Sequence, residues 1–172
     1  MRIFLVGYMG CGKSSLGREL SDRLGISFID LDRFIETRYQ KTIIEIFKEF
    51  GEKGFREKER ICLQEVSSFE NVVIAVGGGA PCFYDNMEKM KENGSCFFLD
   101  VGEKELVSRL KKSKQERPLL DGKSSDEIMS FVMGMMKKRR PYYENAQYLI
   151  KGNDIKIEDL LLRVKKIVND DM

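Results

Sequence analysis

Five short apolar runs punctuate the chain, at 3–6, 26–29, 72–76, 96–99 and 148–150. Each reads as a buried strand. Between them apolar residues return every three or four positions, the period of an amphipathic helix. Leu16, Leu20 and Leu24 make one stripe, and Gly25 is a natural C-terminal cap. Ile43, Ile46, Phe47 and Phe50 make a second, opened by the capping box Thr42-Ile43-Ile44-Glu45 and punctuated by Gly51 and Gly54. A further helix runs from Phe55 to about Ser67, and another carries Leu106 and Leu110. Ser125-Asp126-Glu127 is expected to cap a helix bearing Ile128, Val132, Met135 and Met136, which Pro141 should kink or end. Its methionines read as core filling. Leu160, Leu161, Val164, Ile167 and Val168 mark a last helix that should pack on the sheet. This alternation predicts an α/β fold: three layers, α/β/α, around a five-stranded parallel sheet. With 172 residues and no repeat or linker, one domain spanning 1–172 is expected.

Candidate chemistry follows from where the strands end, because ligands of open parallel sheets lie beyond the carboxyl ends of the strands. The first run enters Gly7-Tyr8-Met9-Gly10-Cys11-Gly12-Lys13-Ser14, which fits the phosphate-binding loop G-x-x-x-x-G-K-[ST] in its required strand–loop–helix setting. Glycines at 7, 10 and 12 leave the backbone free to approach phosphate. Successive N–H groups can then line an anion nest at a helix N-terminus. Lys13 reaches for the β- and γ-phosphates, and Ser14 offers a hydroxyl to Mg²⁺.

The second run ends in Asp30-Leu31-Asp32. If that segment stays extended, both carboxylates lie on one side; Asp32 is also placed to cap a helix starting at Arg33. The third runs into Gly77-Gly78-Gly79, either a close approach of backbone to ligand or a plain turn. Arg56 and Glu59 share a helix face, and their spacing alone reads as a solvated surface pair. The basic stretch 111–125, with Arg117, lacks apolar periodicity and is either a lid over nucleotide phosphates or a solvated loop.

Composition narrows the chemistry. A net charge of +2 with acids and bases interspersed gives no nucleic-acid or membrane surface. No apolar run approaches the ~20 residues that span a bilayer. The chain enters its first strand at once, so a cleaved signal peptide is not expected. The four cysteines, Cys11, Cys62, Cys82 and Cys96, form no C-x-x-C pair and suit the reduced cytoplasm. Cys11 is either a thiol activated by a helix N-terminus or a small residue filling a tight loop. There is no histidine, so proton transfer falls to carboxylates, Lys, Tyr or Cys.

The assembled pattern resembles the shikimate kinases, a nucleoside-monophosphate-kinase-like branch of phosphate-loop folds, over nearly the whole chain. The matching pieces, in order, are the loop through Ser15, Asp30-Leu31-Asp32, Gly54-Phe55-Arg56 with Glu59, Gly77-Gly78-Gly79, Arg117-Pro118-Leu119-Leu120, and Arg139-Arg140-Pro141-Tyr142-Tyr143. The resemblance implies transfer of the γ-phosphate of ATP to the 3-hydroxyl of shikimate. It gives Gly10, Cys11, Gly12, Lys13, Ser14 and Ser15 to the ATP phosphates, Mg²⁺ to Ser14 and, through water, to Asp30, and the reacting hydroxyl to Asp32. Arg56, Gly78 and Arg139 would bind shikimate, with Glu59 orienting Arg56 and Arg117 descending with the lid. Lys13, Asp32 and Arg117 would be catalytic. A substrate-binding insertion is implied at about 32–62 and a lid at about 111–125. Leu110 stands where some members carry an arginine that packs on adenine, and the segment near Asn153 and Asp154 is a further candidate for that base. ATP and shikimate are the expected partners, with a monomeric enzyme in the cytoplasm. The alternatives are another small-metabolite kinase, such as a gluconate or nucleotide kinase, and an ATP-binding module without catalysis.

Overall fold

A computed structural model describes residues 1–113 and 122–170. Its strands are β1 (Arg2–Val6), β2 (Ser27–Asp30), β3 (Val72–Ala75), β4 (Ser95–Asp100) and β5 (Tyr148–Lys151). They form one parallel sheet in the order β2-β3-β1-β4-β5. β1 is central, and Phe4, Leu5 and Val6 are fully buried, as a strand covered on both faces requires. All five carboxyl ends point one way, so the segments that follow the strands gather on one rim.

The helices are α1 (Lys13–Leu24), α2 (Leu31–Tyr39), α3 (Ile43–Val66), α4 (Asn86–Asn93), α5 (Glu103–Lys112), α6 (Ser125–Tyr143) and α7 (Ile157–Asp170), with a single 3-10 turn at Ala80–Cys82. Gly25 closes α1 at φ 67°, as its position foretold. Leu160 and Val164 of α7 are buried, and α1 is a principal neighbour of this last helix.

Three local expectations change. The two short helices expected around Gly51 form one element, α3, with a break at Gly51 (φ 66°, ψ −177°); Gly54 stays helical. The capping box of α6 is Ser124 with Glu127, one residue earlier than expected. Pro141 does not stop α6, which continues to Tyr143. Pro141 is exposed in the last turn, where the carbonyl it leaves unpaired can be met by water. Among the described residues no helix is long and apolar enough to cross a membrane.

Candidate active site

The rim holds an open cleft of about 760 Å³, lined by Met9, Lys13, Ser14, Asp30, Asp32, Gly77 and Gly78 among others. Its first wall is the loop between β1 and α1. Gly7, Gly10 and Gly12 have φ of 143°, 81° and 101°, a region closed to most side chains, which is why this loop needs glycine. The Cys11 N–H donates to the Tyr8 carbonyl at 3.2 Å and closes the curl. Lys13 folds back over it, its Nζ donating to the Gly7 and Tyr8 carbonyls at 2.8 and 3.0 Å. The Cys11 side chain is buried, so its thiol fills the loop and does not face the cleft. Ser14 and Ser15 are exposed in the first turn of α1, with the Ser15 hydroxyl on the Gly12 carbonyl at 3.1 Å.

The second wall is the β2–α2 junction. Here the sequence reading of a helix cap is corrected by two residues. α2 starts at Leu31, so the segment is not extended. Asp30, not Asp32, is the cap: its Oδ1 accepts the N–H groups of Asp32 and Arg33 at 3.2 and 3.4 Å. Its Oδ2 accepts the Ser14 hydroxyl at 2.5 Å. The two carboxylates therefore diverge. Asp30 joins the loop, whereas Asp32 turns toward the end of β3, where a Cβ on Gly77 would come within 2.8 Å of its Oδ1. The protein crowding Asp32 raises its pKa above the ordinary carboxylate value, and Asp30 adds to the rise; Lys13 opposes it. Asp32 remains open to water in the cleft, which limits that rise.

Behind Gly77 lies a buried charge cluster. Arg56 and Glu59 of α3 are 7% and 1% exposed, so the solvated surface pair suggested by their spacing is wrong. They bond at 2.8 Å. Phe83 covers the guanidinium at 4.2 Å, Phe55 lies at 5.0 Å and Phe47 at 6.0 Å. Planar Arg tolerates such a collar because its faces are weakly hydrated. Burial pushes the Glu59 carboxyl up to about 7, against the pull of Arg56, while Asp32 raises it further.

The three glycines serve space, not backbone strain, since none of them has a positive φ. A Cβ on Gly77 would meet Asp32 and Glu59, one on Gly78 would reach 3.6 Å from Arg139, and one on Gly79 would fall 2.6 Å from the Arg56 guanidinium. The expectation that they admit close approach to a ligand is thus joined by another reason: they admit the protein's own charged side chains.

The adjacent arginines of α6 part company. Arg140 grips Asp100 with two bonds of 3.1 and 2.9 Å and lies near Glu103 and Glu144. Arg139 turns the other way, over the Tyr8 ring at 5.8 Å and beside Gly78. Arg139 is therefore the member of the pair that lies beside the glycine turn that borders the cleft. Leu110 packs beneath Gly10. Its neighbour Arg109 reaches the Gly10 and Cys11 carbonyls at 3.5 Å and also bonds the Asn153 carbonyl, a role the sequence reading missed. The signal available was Arg109 standing four residues after Glu105, which it pairs with at 2.7 Å. Arg117 and the centre of the expected lid lie outside the described residues. Among the described residues no cluster of three or more metal-ligating side chains occurs.

The family model described as shikimate kinase matches residues 9–169. The chain is 49% identical over 172 residues to the shikimate kinase of Bacteroides thetaiotaomicron, covering 98% of each. A crystal structure of the shikimate kinase from that organism superposes with a TM-score of 0.93 at 48% identity, again over 98% of both chains. The shikimate kinase from Acinetobacter baumannii, in complex with shikimate, superposes with a TM-score of 0.84 at 34% identity, over 99% of this chain and 93% of that one.

Proposed function

The chain belongs to the shikimate kinase family, enzymes that phosphorylate shikimate with ATP, and we propose that the cleft described above carries that reaction. The observation that carries the proposal is the convergence of two unlike walls on one rim. Phosphate-binding Lys13 and Ser14 stand on one side; Asp32 stands on the other, with Arg56 and Arg139 close behind Gly79 and Gly78. Shikimate has one carboxylate and three hydroxyls, which suits arginine forks and an aspartate.

In this reading Lys13 exchanges the Gly7 and Tyr8 carbonyls for phosphate oxygens, and the N–H groups of 10–15 cradle them. Arg56 and Arg139 take the carboxylate of the acceptor. Asp32 orients the 3-hydroxyl and receives its proton as the oxygen bonds to the γ-phosphorus and ADP leaves. A pKa raised from the ordinary value suits that task. Phosphoryl transfer needs little covalent help from protein, so positioning and electrostatics suffice without a histidine.

The family's use of ATP implies a metal ion, and Mg²⁺ is proposed at Ser14 and, through water, at Asp30. Two hard oxygens 2.5 Å apart at the loop fit a cation held mainly by phosphates and water, and no all-protein cage is required. Bound there it would offset charge on the β- and γ-phosphates. Arg117 is proposed to close on the same phosphates with a lid at about 111–125, and residues 32–62 to form the acceptor-binding insertion of a single domain. A monomer in the cytoplasm completes the proposal; the four free cysteines suit a reducing compartment.

A coupled assay of ATP consumption tests this directly. Turnover is expected only with shikimate. Turnover with gluconate or a nucleoside monophosphate instead, or ATP binding without transfer, would overturn it.

A further inference from the structure

Tyr143 is fully buried near the end of α6. Its ring tilts against Phe98, with centroids 5.3 Å apart. Its hydroxyl donates to the Gly78 carbonyl at 2.5 Å, joining points 65 residues apart in the chain. Tyr143 also stands four residues after Arg139, on the same face of the helix. The Arg139 guanidinium lies beside the same glycine, 3.6 Å from where a Cβ on Gly78 would stand. Two separate parts of the acceptor wall thus meet at one glycine.

The state of the glycine turn shows why this matters. Its carbonyls are taken: Gly77 by the Ala80 N–H at 3.0 Å, Gly79 by the Cys82 N–H at 2.9 Å, and Ala80 by the Asn86 amide at 2.9 Å. Tyr143 takes the one that remains, at Gly78. The N–H groups of Gly77, Gly78 and Gly79, by contrast, find no acceptor among the described residues. A run of unpaired N–H groups is a donor site for an anion or a hydroxyl oxygen. The peptide unit is planar and no bond here is cis, so a carbonyl and the N–H that follows it point opposite ways. Holding the Gly78 carbonyl on α6 therefore turns the Gly79 N–H away from α6.

We propose that Tyr143 is a positioning residue for the acceptor: its hydroxyl locks the Gly78–Gly79 peptide and Arg139 into one geometry, so that both meet the same molecule. The inference rests on the shikimate kinase reading. It assigns to Tyr143 an effect on acceptor binding more than on the nucleotide, since its hydroxyl bonds the glycine turn at Gly78.

Tyr143→Phe tests it by deleting one oxygen while keeping the ring on Phe98. The expected result is a shikimate KM raised about tenfold, the loss of one hydrogen bond's worth of alignment. The ATP KM and kcat should change less than about threefold, and the melting temperature by no more than a few degrees. A merely structural role would lower the melting temperature and move both KM values together. That outcome, or an unchanged shikimate KM in an active variant, overturns the inference and leaves the kinase reading intact. A wild-type protein that ignores shikimate overturns both.

Discussion

The phosphate wall is closed by its own backbone. Within eight consecutive residues, the N–H of Cys11 meets the carbonyl of Tyr8, Lys13 bonds two loop carbonyls, and three glycines adopt positive φ. The acceptor wall has no such local closure. Asp32 comes from α2, Arg56 and Glu59 from α3, the glycine turn from the end of β3, and Arg139 and Tyr143 from α6. Its glycines have ordinary backbone angles and are small for the sake of side chains that arrive from elsewhere. Its main charges are buried, where removing one partner strands the other. The first wall is mainly a local conformation, braced from outside by Arg109 and Asp30; the second is a tertiary assembly. Damage to the first should therefore appear in chemistry, and damage to the second in acceptor affinity and in folding.

The largest expected effect is on the local wall. Lys13→Ala removes the cation aimed at the transferred phosphate, so kcat should fall by ~10²–10³-fold with little change in melting temperature. Near-normal turnover would sink the assignment. Arg56→Ala attacks the assembled wall. The shikimate KM should rise on the order of 10²-fold while that for ATP holds, because a buried charged contact is lost. A defect confined to ATP would show that the two walls have been wrongly divided. Gly79→Ala is the subtler version. Its Cβ needs the space of the Arg56 guanidinium, and the displaced arginine should raise the shikimate KM by roughly tenfold. If that KM does not move, spatial crowding is not what the glycine avoids.

The last effect is on stability, not turnover, and reads the buried pair. Glu59 titrates near 7 in the folded chain against 4.5 ordinarily. Between those values the folded state keeps a proton that the unfolded state has lost. Glu59 therefore favours folding fully only below about pH 4.5, and that contribution declines as pH rises through 7. The difference in unfolding free energy between wild type and Glu59→Gln should shift by roughly 2–3 kcal/mol from pH 5 to pH 8, the wild type weakening as pH rises. Denaturant curves that stay parallel across that range would count against a buried, proton-binding Glu59.

Both the fold and the phosphate wall were legible in the sequence for the same reason: each depends on near neighbours. Strand runs, helix stripes, the Gly25 cap and the Thr42 box are local periodicities, and G-x-x-x-x-G-K-[ST] is a contiguous motif. What misled was whatever depended on distant chain. Arg56 and Glu59 have the spacing of a surface pair, and only the arrival of Phe83 and the glycine turn buries them. The spacing of Asp30 and Asp32 allows either a pair on one side or a cap at Asp32, and neither reading shows that the helix starts between them. Arg139 and Arg140 differ in fate only because Asp100 ends β4 within reach of one of them. Local caps slipped by a residue for a smaller reason: Ser124 and Ser125 are chemically equal, and Glu127 selects the former as the partner three positions away.

The break in α3 has a consequence that concerns handedness. At Gly51 an added Cβ would touch nothing within 4 Å, so bulk is no obstacle there. Yet the backbone, at φ 66° and ψ −177°, is the mirror image of the extended polyproline conformation that ordinary residues prefer. The turn it makes accompanies the stacking of Phe47 on Phe55 at 4.4 Å, two of the rings around Arg56. A D-alanine introduced at position 51 by chemical synthesis would sit in its own preferred basin and should rigidify that joint. L-alanine at the same place would strain it by about 1–3 kcal/mol. Glycine, which has no handedness of its own, lets the chain take this turn without that strain.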